Sequence, residues 1–260
     1  MSDNIFVLDI PNFSPQYEND VYYSYKGKGG ENLKELLTKT SQGYCMYCYS
    51  RILVDRKNYG ELEHSIEKVN SEKLVNCASN ISIACLKCNR SFKKKGDTKR
   101  RITKKQKVSF EKSLNCSSSC ITTCDKYLRL REIIQQNDEG KIIFQPFGTK
   151  NVNTDREYLI QYDILNQKFI PSMDLDYNEE EKEFIAKHIN RFNLNDTVYR
   201  TKEFINFCED VFEYKTIPKK RRYSNLIVDL FIDKLQGFSL EESIKVCTII
   251  YNQIIVRNKG

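Results

Sequence analysis

The sequence of 260 residues lacks tryptophan altogether and has only two histidines, three methionines and five prolines. It also lacks long hydrophobic runs: even the apolar stretch over residues 246–256 is interrupted by Thr248, Asn252 and Gln253. No segment therefore reaches the length needed to cross a bilayer. The N-terminus, MSDNIFVLDI, has neither the basic nor the apolar region of a secretion signal. These absences predict a cytoplasmic protein without a membrane segment.

What remains is the composition of an ordinary globular chain, with 40% hydrophobic and 30% charged residues. This balance excludes intrinsic disorder as the main state of the chain. Ten cysteines are present. In a reducing compartment cysteines serve as metal ligands, core residues or reactive thiols more often than as disulfides. The cysteines therefore direct attention to metal binding.

Positive charge is concentrated in one stretch. The net charge is +7, and twelve cations lie between Lys87 and Lys112, opposed by only Asp97 and Glu111. Such a local excess favours a polyanionic partner, most simply the phosphates of nucleic acid, although a solvated helix face or loop is the alternative. The candidate nucleic-acid-binding residues are Arg90, Lys93, Lys94, Lys95, Lys99, Arg100 and Arg101.

Two cysteine pairs have the spacing of metal-binding turns. Cys45 and Cys48 lie in YCMYC, and Cys85 and Cys88 lie in CLKCN. Four thiolates from two such turns suit a closed tetrahedral zinc site, which would join two distant segments around an insert. The alternative is four unligated core cysteines. The pattern predicts a structural zinc.

The insert between the pairs, together with the residue after Cys88, carries residues suited to phosphodiester chemistry. Glu63 and His64 are adjacent in GELEHSIEKV, and Asn80 and Asn89 follow in NCASNISIACLKCN. A carboxylate and an amide oxygen are hard ligands that suit Mg²⁺ or Mn²⁺. A histidine near that ion can take a proton from water near neutral pH. One such ion and one base are sufficient for hydrolysis of a phosphodiester.

This order of residues, CxxC, acidic-His, a middle Asn and CxxCN, resembles the HNH nucleases with a zinc-stapled ββα-metal finger. The resemblance implies an α+β fold in which His64 is the general base and Glu63 and Asn89 bind the catalytic divalent ion. It also implies that Asn80 holds the loop and the base in place. The four cysteines match the structural zinc ligands.

The stretch LKELLTKTSQGYCMYC also looks like the lead-in of the Septu-type HNH nucleases. Their C-terminal half is similar to IIFQP, IPS and INRFNLN followed by Arg200 in this chain. That family acts in bacterial antiphage defence beside an ATPase of the ABC or SMC type, which the resemblance implies as a partner. The chain departs from many HNH enzymes in three ways: Glu63 replaces an aspartate, no proline follows His64, and lysine-glycine comes late, at Lys95-Gly96.

The organisation predicted along the chain has three parts. Residues 1–40 form a lead-in with a short helix, 41–112 form the nuclease core with the basic stretch, and 113–260 form a mixed and then helical region that could dock a partner. Residues 1–30 are expected to be irregular, with a turn at GKGG, and a helix follows from Glu31 toward Gly43. Short strands are expected within 142–151 and 156–172. Capping boxes at Asn178 and Ser239 open helices in the last third.

The remaining candidates have simpler interpretations. His188 is interpreted as a packing or surface residue of a helix. Cys77, Cys208 and Cys247 are expected in the core. Cys116, Cys120 and Cys124 repeat at helical spacing, which predicts a core face or a second metal site. The basic run at 219–222 is left open between a nucleic-acid surface and a solvated turn.

The function predicted from the sequence is a metal-dependent HNH endonuclease, the nuclease effector of an antiphage defence system. DNA is the favoured substrate, with RNA such as tRNA as the alternative. Two other functions stay open: a non-catalytic zinc-stapled module that binds nucleic acid, and an assembly subunit whose C-terminal helices dock an ATPase.

Overall fold

A computed structural model describes residues 4–112 and 120–258 of the chain. The described residues form helices and small antiparallel sheets, an α+β mixture. The helices are α1 (Gly27–Thr40), α2 (Lys104–Glu111), α3 (Asp125–Gln135), α4 (Glu179–Arg191), α5 (Thr197–Tyr214), α6 (Leu226–Leu235) and α7 (Leu240–Asn258). The strands are β1 (Val7–Asp9), β2 (Leu53–Val54), β3 (Lys57–Asn58), β4 (Glu61–His64), β5 (Ile81–Ala84), β6 (Ile160–Asp163) and β7 (Lys168–Pro171). Within these ranges no helix is both long and apolar enough to cross a membrane.

The first strand lies where the sequence predicts irregular chain. β1 pairs with β6, with Leu8 opposite Tyr162, and β6 pairs with β7 to complete a three-stranded antiparallel sheet. The prediction for 156–172 is confirmed by β6 and β7. The segment 142–151 is described without a regular strand, although its Ile142, Ile143 and Phe144 are buried. Local patterns miss β1 because its partner follows about 150 residues later in the chain.

The helix α1 begins earlier than the sequence predicts. The GKGG stretch, expected to be a turn, forms its first turn, and the helix ends at Thr40 just before Gly43. Leu33 and Leu37 are buried on the face that packs against β4 and β5. Glycine costs helix stability, so this first turn depends on tertiary packing and not on intrinsic propensity.

β4 and β5 form an antiparallel pair that precedes a short helical turn. Glu63 lies opposite Ser82, and His64 lies opposite Ile81. The turn that follows, Cys88–Phe92, is wider than an α-helix, because the Lys93 N–H donates to the Cys88 carbonyl five residues back at 2.9 Å. This wide turn carries Asn89 and brings Lys93 back toward the strands.

The C-terminal helices pack on the segment that contains the first cysteine pair. The hydroxyl of Tyr44 donates to Asp229 of α6 at 2.7 Å, and the Leu226 N–H donates to the Tyr49 carbonyl at 2.9 Å. The capping box at Asn178 is confirmed at the start of α4, and Ser239 and Glu242 form reciprocal bonds at the start of α7. The helical region and the cysteine-rich region therefore share one core.

Of the second group of cysteines, the two that the structure describes, Cys120 and Cys124, do not lie within a helix. Cys116 lies outside the described residues. Cys120 forms an isolated bridge with Cys77, and Cys124 immediately precedes α3, which begins at Asp125. The helix face predicted from the spacing is therefore wrong for Cys120 and Cys124. Cys77, Cys208 and Cys247 are buried, as predicted.

Candidate metal centre and catalytic cavity

The four paired cysteines come together. The Sγ atoms of Cys45, Cys48, Cys85 and Cys88, hereafter the cysteine cluster, all lie within 4.8 Å of one another. Four sulfur atoms this close, supplied by two separate turns, match the tetrahedral donor set of a structural metal site. The cysteine cluster could therefore hold a metal ion such as zinc.

The turn that carries Asn89 is attached to the end of β5 by the cysteine cluster. The Met46 N–H, between the first two cysteines, donates to the Ile83 carbonyl of β5 at 3.1 Å. On the other side, the Asn89 N–H donates to the Cys85 carbonyl at 3.0 Å. The position of Asn89 thus depends directly on the second cysteine pair.

Glu63 lies in a buried ion pair. One carboxylate oxygen is 2.7 Å from the Lys93 ammonium, and the other accepts from the hydroxyls of Tyr47 at 2.8 Å and Ser82 at 2.9 Å. Lys93 also donates to the His64 carbonyl at 2.8 Å. Because both side chains are only 4% exposed, water screens this pair little. Tyr47, Ser82 and Lys93 hold Glu63 in one orientation.

Asn89 contacts a different carboxylate. Its amide Nδ2 donates to Glu61 at 2.8 Å, and the same carboxylate binds the guanidinium of Arg90. The hydrogen bond from Arg90 is the main cause of the lowered pKa of Glu61. Sequence reasoning missed Glu61, although its separation from Glu63 by two strand positions puts both on one face of β4. The structure therefore brings Asn89 to Glu61 and leaves Glu63 with Lys93.

The imidazole of His64 is buried and oriented. Its Nε2 lies 3.0 Å from the Val75 carbonyl, and because a carbonyl only accepts, Nε2 is the protonated nitrogen. The ring also lies 4.3 Å from the ring of Tyr25, centroid to centroid. Burial lowers the pKa of His64, and the hydrogen bond to Val75 only partly offsets it. His64 is therefore a neutral imidazole with a lone pair on Nδ1.

Asn80 connects the chain after β4 to β5. Its side-chain oxygen accepts from the Ile66 N–H at 2.8 Å and from the Tyr127 hydroxyl at 2.9 Å, and its amide donates to the Ile66 carbonyl at 2.9 Å. Asn80 is fully buried, so it acts on the loop after His64 and not on a ligand. Tyr127, from α3, is a further member of this support that sequence reasoning did not identify.

Glu61, Glu63, His64 and Asn89 line one open cavity of about 950 Å³. Cations surround it from several elements, including Lys34 of α1 and Lys68 of the loop after β4, neither of which belongs to the basic stretch. The other lining cations are Arg90, Lys93, Lys94 and Arg101. Carboxylates and an imidazole inside a cationic rim suit a substrate that carries phosphate.

Two residues of the basic stretch are buried inside the protein. Lys93 and Arg100 are 3% and 1% exposed, and both contact Glu67. Burial opposes ionisation of Glu67, but the two cations outweigh it and lower the pKa of its carboxyl. The sequence interpretation of Lys93 and Arg100 as nucleic-acid contacts is therefore corrected: they hold the cavity wall together. The exposed candidates are Arg90, Lys94, Lys95, Lys99 and Arg101.

No family model matches the chain, and no curated protein or solved structure matches it. The interpretation of the site therefore depends on its own geometry.

Proposed function

We propose that the protein is a metal-dependent endonuclease of the HNH type that hydrolyses phosphodiester bonds in nucleic acid. DNA is the favoured substrate, and RNA such as tRNA is the alternative. The observation that carries the proposal is the cavity, where an oriented neutral histidine lies with carboxylates and Asn89 inside a rim of cations. The hairpin of β4 and β5 followed by the turn at Cys88–Phe92 supports a ββα-metal finger.

His64 acts as the general base in this proposal. Its Nε2–H is held by the Val75 carbonyl, so Nδ1 is available to take a proton from water beside the scissile phosphate. Burial keeps the imidazole neutral, which is the form a base requires. Asn80 supports this arrangement through its hydrogen bonds to the backbone of Ile66, two residues after His64.

Glu63 and Asn89 would hold the divalent ion. Carboxylate and amide oxygens on the cavity wall fit Mg²⁺ or Mn²⁺, and Glu61 adds a second carboxylate beside Asn89. When bound, such an ion polarises the phosphate and stabilises the leaving oxygen. Lys93 must release one oxygen of Glu63 before that oxygen can bind an ion.

The test is cleavage of nucleic acid by purified protein with and without Mg²⁺ or Mn²⁺, comparing wild type with His64→Ala. Loss of the base is expected to lower the rate by about 10²–10⁴-fold. Zinc content and melting temperature, measured on both proteins, control for folding. Cleavage that is independent of divalent ions, or that survives His64→Ala at full rate, contradicts the proposal.

A non-catalytic zinc-stapled nucleic-acid-binding module is the second candidate. The ion pair of Glu63 and Lys93 favours it, because a carboxylate already neutralised by the protein has a structural role without any metal. This candidate predicts salt-sensitive binding that divalent ions do not change and that Glu63→Gln leaves unchanged in protein that remains folded. The two functions therefore differ in their response to metal.

We also propose that the chain is the nuclease of a Septu-type defence system with an ABC- or SMC-type ATPase partner. This assignment rests on the sequence resemblance alone. Co-purification of the tagged chain with an ATPase encoded beside it tests the partnership. Failure to co-purify with that ATPase in the presence of ATP contradicts it and leaves the nuclease proposal standing.

A further inference from the structure

The glycines in the first turn of α1 allow the preceding segment to fold closely against the helix. A Cβ atom on Gly29 would lie 2.8 Å from the ring of Tyr22, and one on Gly30 would lie 3.0 Å from the Tyr25 carbonyl. The buried Ser24 hydroxyl donates to the Lys26 carbonyl at 2.8 Å. These close contacts fix residues 22–26 relative to α1, and they explain GKGG by packing.

The same segment is tied to the chain that orients His64. The Tyr25 N–H donates to the side-chain oxygen of Asn76 at 3.2 Å. Asn76 follows Val75, whose carbonyl accepts from Nε2 of His64. The backbone of Tyr25 is therefore hydrogen-bonded to Asn76, the residue next to the one whose carbonyl orients His64.

The ring of Tyr25 contacts the imidazole itself. The centroids of the Tyr25 and His64 rings are 4.3 Å apart with a tilt of 50°. The ammonium of Lys68 lies 4.9 Å from the centroid of the same tyrosine ring. All three side chains line the cavity. The imidazole is thus restrained at its edge by Val75 and over its ring by Tyr25.

We propose that Tyr25 is a positioning residue for His64, so that the segment before α1 belongs to the catalytic machinery. The inference rests on the proposed role of His64 as the general base. Tyr25 restricts rotation of the imidazole and keeps Nδ1 directed toward the attacking water. The aromatic ring performs this role, because the contact with His64 is made by the ring.

The kinetic test compares Tyr25→Ala and Tyr25→Phe with wild type. Loss of the ring is expected to lower kcat by about 10²-fold, the cost of a misplacement near 1 Å, with KM changed less than about twofold. Tyr25→Phe retains the ring and keeps kcat near wild type. The matched control is Tyr59→Ala, which removes an exposed tyrosine that also has a lysine, Lys57, over its ring.

A spectroscopic test does not depend on activity. The chain has two histidines, so ¹⁵N imidazole spectra are assigned with the single variant His64→Gln. In wild type and Tyr25→Phe we expect a slowly exchanging Nε2–H signal from His64. In Tyr25→Ala this signal is expected to broaden through exchange with water as the ring moves.

Tyr25→Ala with unchanged kcat and an unchanged His64 signal overturns the inference. An equal fall in kcat for Tyr25→Ala and Tyr25→Phe overturns the role of the ring. Wild-type protein that cleaves no nucleic acid counts against the proposed function instead. In that case the Nε2–H signal still decides whether Tyr25 positions His64.

Discussion

At the scale of single residues, the pairing of Glu63 with Lys93 dominates the electrostatics of the cavity. Both groups are almost fully buried, and each is close enough to the other for a direct hydrogen bond. Removing one member of a buried pair leaves an uncompensated charge and costs about 3–5 kcal/mol. We therefore expect Lys93→Ala to destabilise the folded chain by that amount, measured as the free energy of unfolding in urea. Lys94→Ala, an exposed neighbour, is the control and is expected to change it by less than about 0.5 kcal/mol.

Glu61 and Glu63, the two carboxylates on one face of β4, are the candidate ligands of the divalent ion, and substitution of each one distinguishes them. We expect Glu63→Gln to weaken Mn²⁺ binding by about tenfold or more, because an amide supplies no negative charge. Titration calorimetry measures this affinity on variants whose folding is first checked by melting temperature, because Glu63→Gln also breaks the buried pair with Lys93. Glu61→Gln is the matched variant from the same strand face.

The outcome assigns the ligand directly. If Glu61→Gln abolishes Mn²⁺ binding and Glu63→Gln leaves it intact, then Glu61 binds the ion together with Asn89, and Glu63 has only a structural role. The contact between Asn89 and Glu61 makes this comparison necessary.

The pH dependence of cleavage follows from His64. Burial lowers its pKa below the usual value near 6.5, and the neutral imidazole is the active form. Cleavage therefore rises with pH through the lowered pKa, and at pH 6.5 it is expected to exceed half of its plateau. Initial rates between pH 5 and 8 check this, with melting temperature followed at each pH. A midpoint above pH 7 contradicts a buried neutral base.

At the scale of elements, the cysteine cluster connects the first cysteine turn to the end of β5. We expect the protein to contain about one zinc per chain by elemental analysis, and Cys85→Ser to lose it together with the local fold. Cys208→Ser, which also changes a buried cysteine, is expected to keep the metal. Equal zinc content in Cys85→Ser and wild type contradicts the site.

The sequence predicts the elements whose signals are local. The periodic apolar faces and the capping box at Asn178 gave α4, α6 and α7, and the paired spacing gave the cysteine cluster. It does not predict β1, whose pairing with β6 is remote in sequence, or the early start of α1, which depends on packing of Gly29 and Gly30.

The candidate site was predictable to the same limited extent. The sequence identified three residues of the cavity wall, Glu63, His64 and Asn89, but not Glu61 or Tyr25. It did not identify their partners, because hydrogen bonds such as Asn89 to Glu61 and Glu63 to Lys93 depend on side-chain directions across three segments. Composition likewise suggested that Lys93 and Arg100 are surface charges, whereas both are buried and paired with carboxylates, Lys93 with Glu63 and both with Glu67.

At the scale of the whole molecule, positive charge is divided between an exposed and a buried set. We expect Lys94→Ala and Arg101→Ala each to lower the salt dependence of nucleic-acid binding by about one unit of log–log slope. Fluorescence anisotropy at several salt concentrations measures the slope. Lys245→Ala, an exposed lysine of α7 paired with Glu241, is the control. An equal effect of all three substitutions would mean that binding follows net charge and not the cavity rim.

The ammonium of Lys93 occupies the position on Glu63 that a divalent ion would need. Lys93, which is part of the chain itself, therefore competes with the ion for the carboxylate of Glu63. Under the proposed function, Lys93 lowers the apparent affinity of the site for Mg²⁺ or Mn²⁺. The divalent-ion concentration needed for cleavage is then set by how readily the Lys93 side chain withdraws from Glu63.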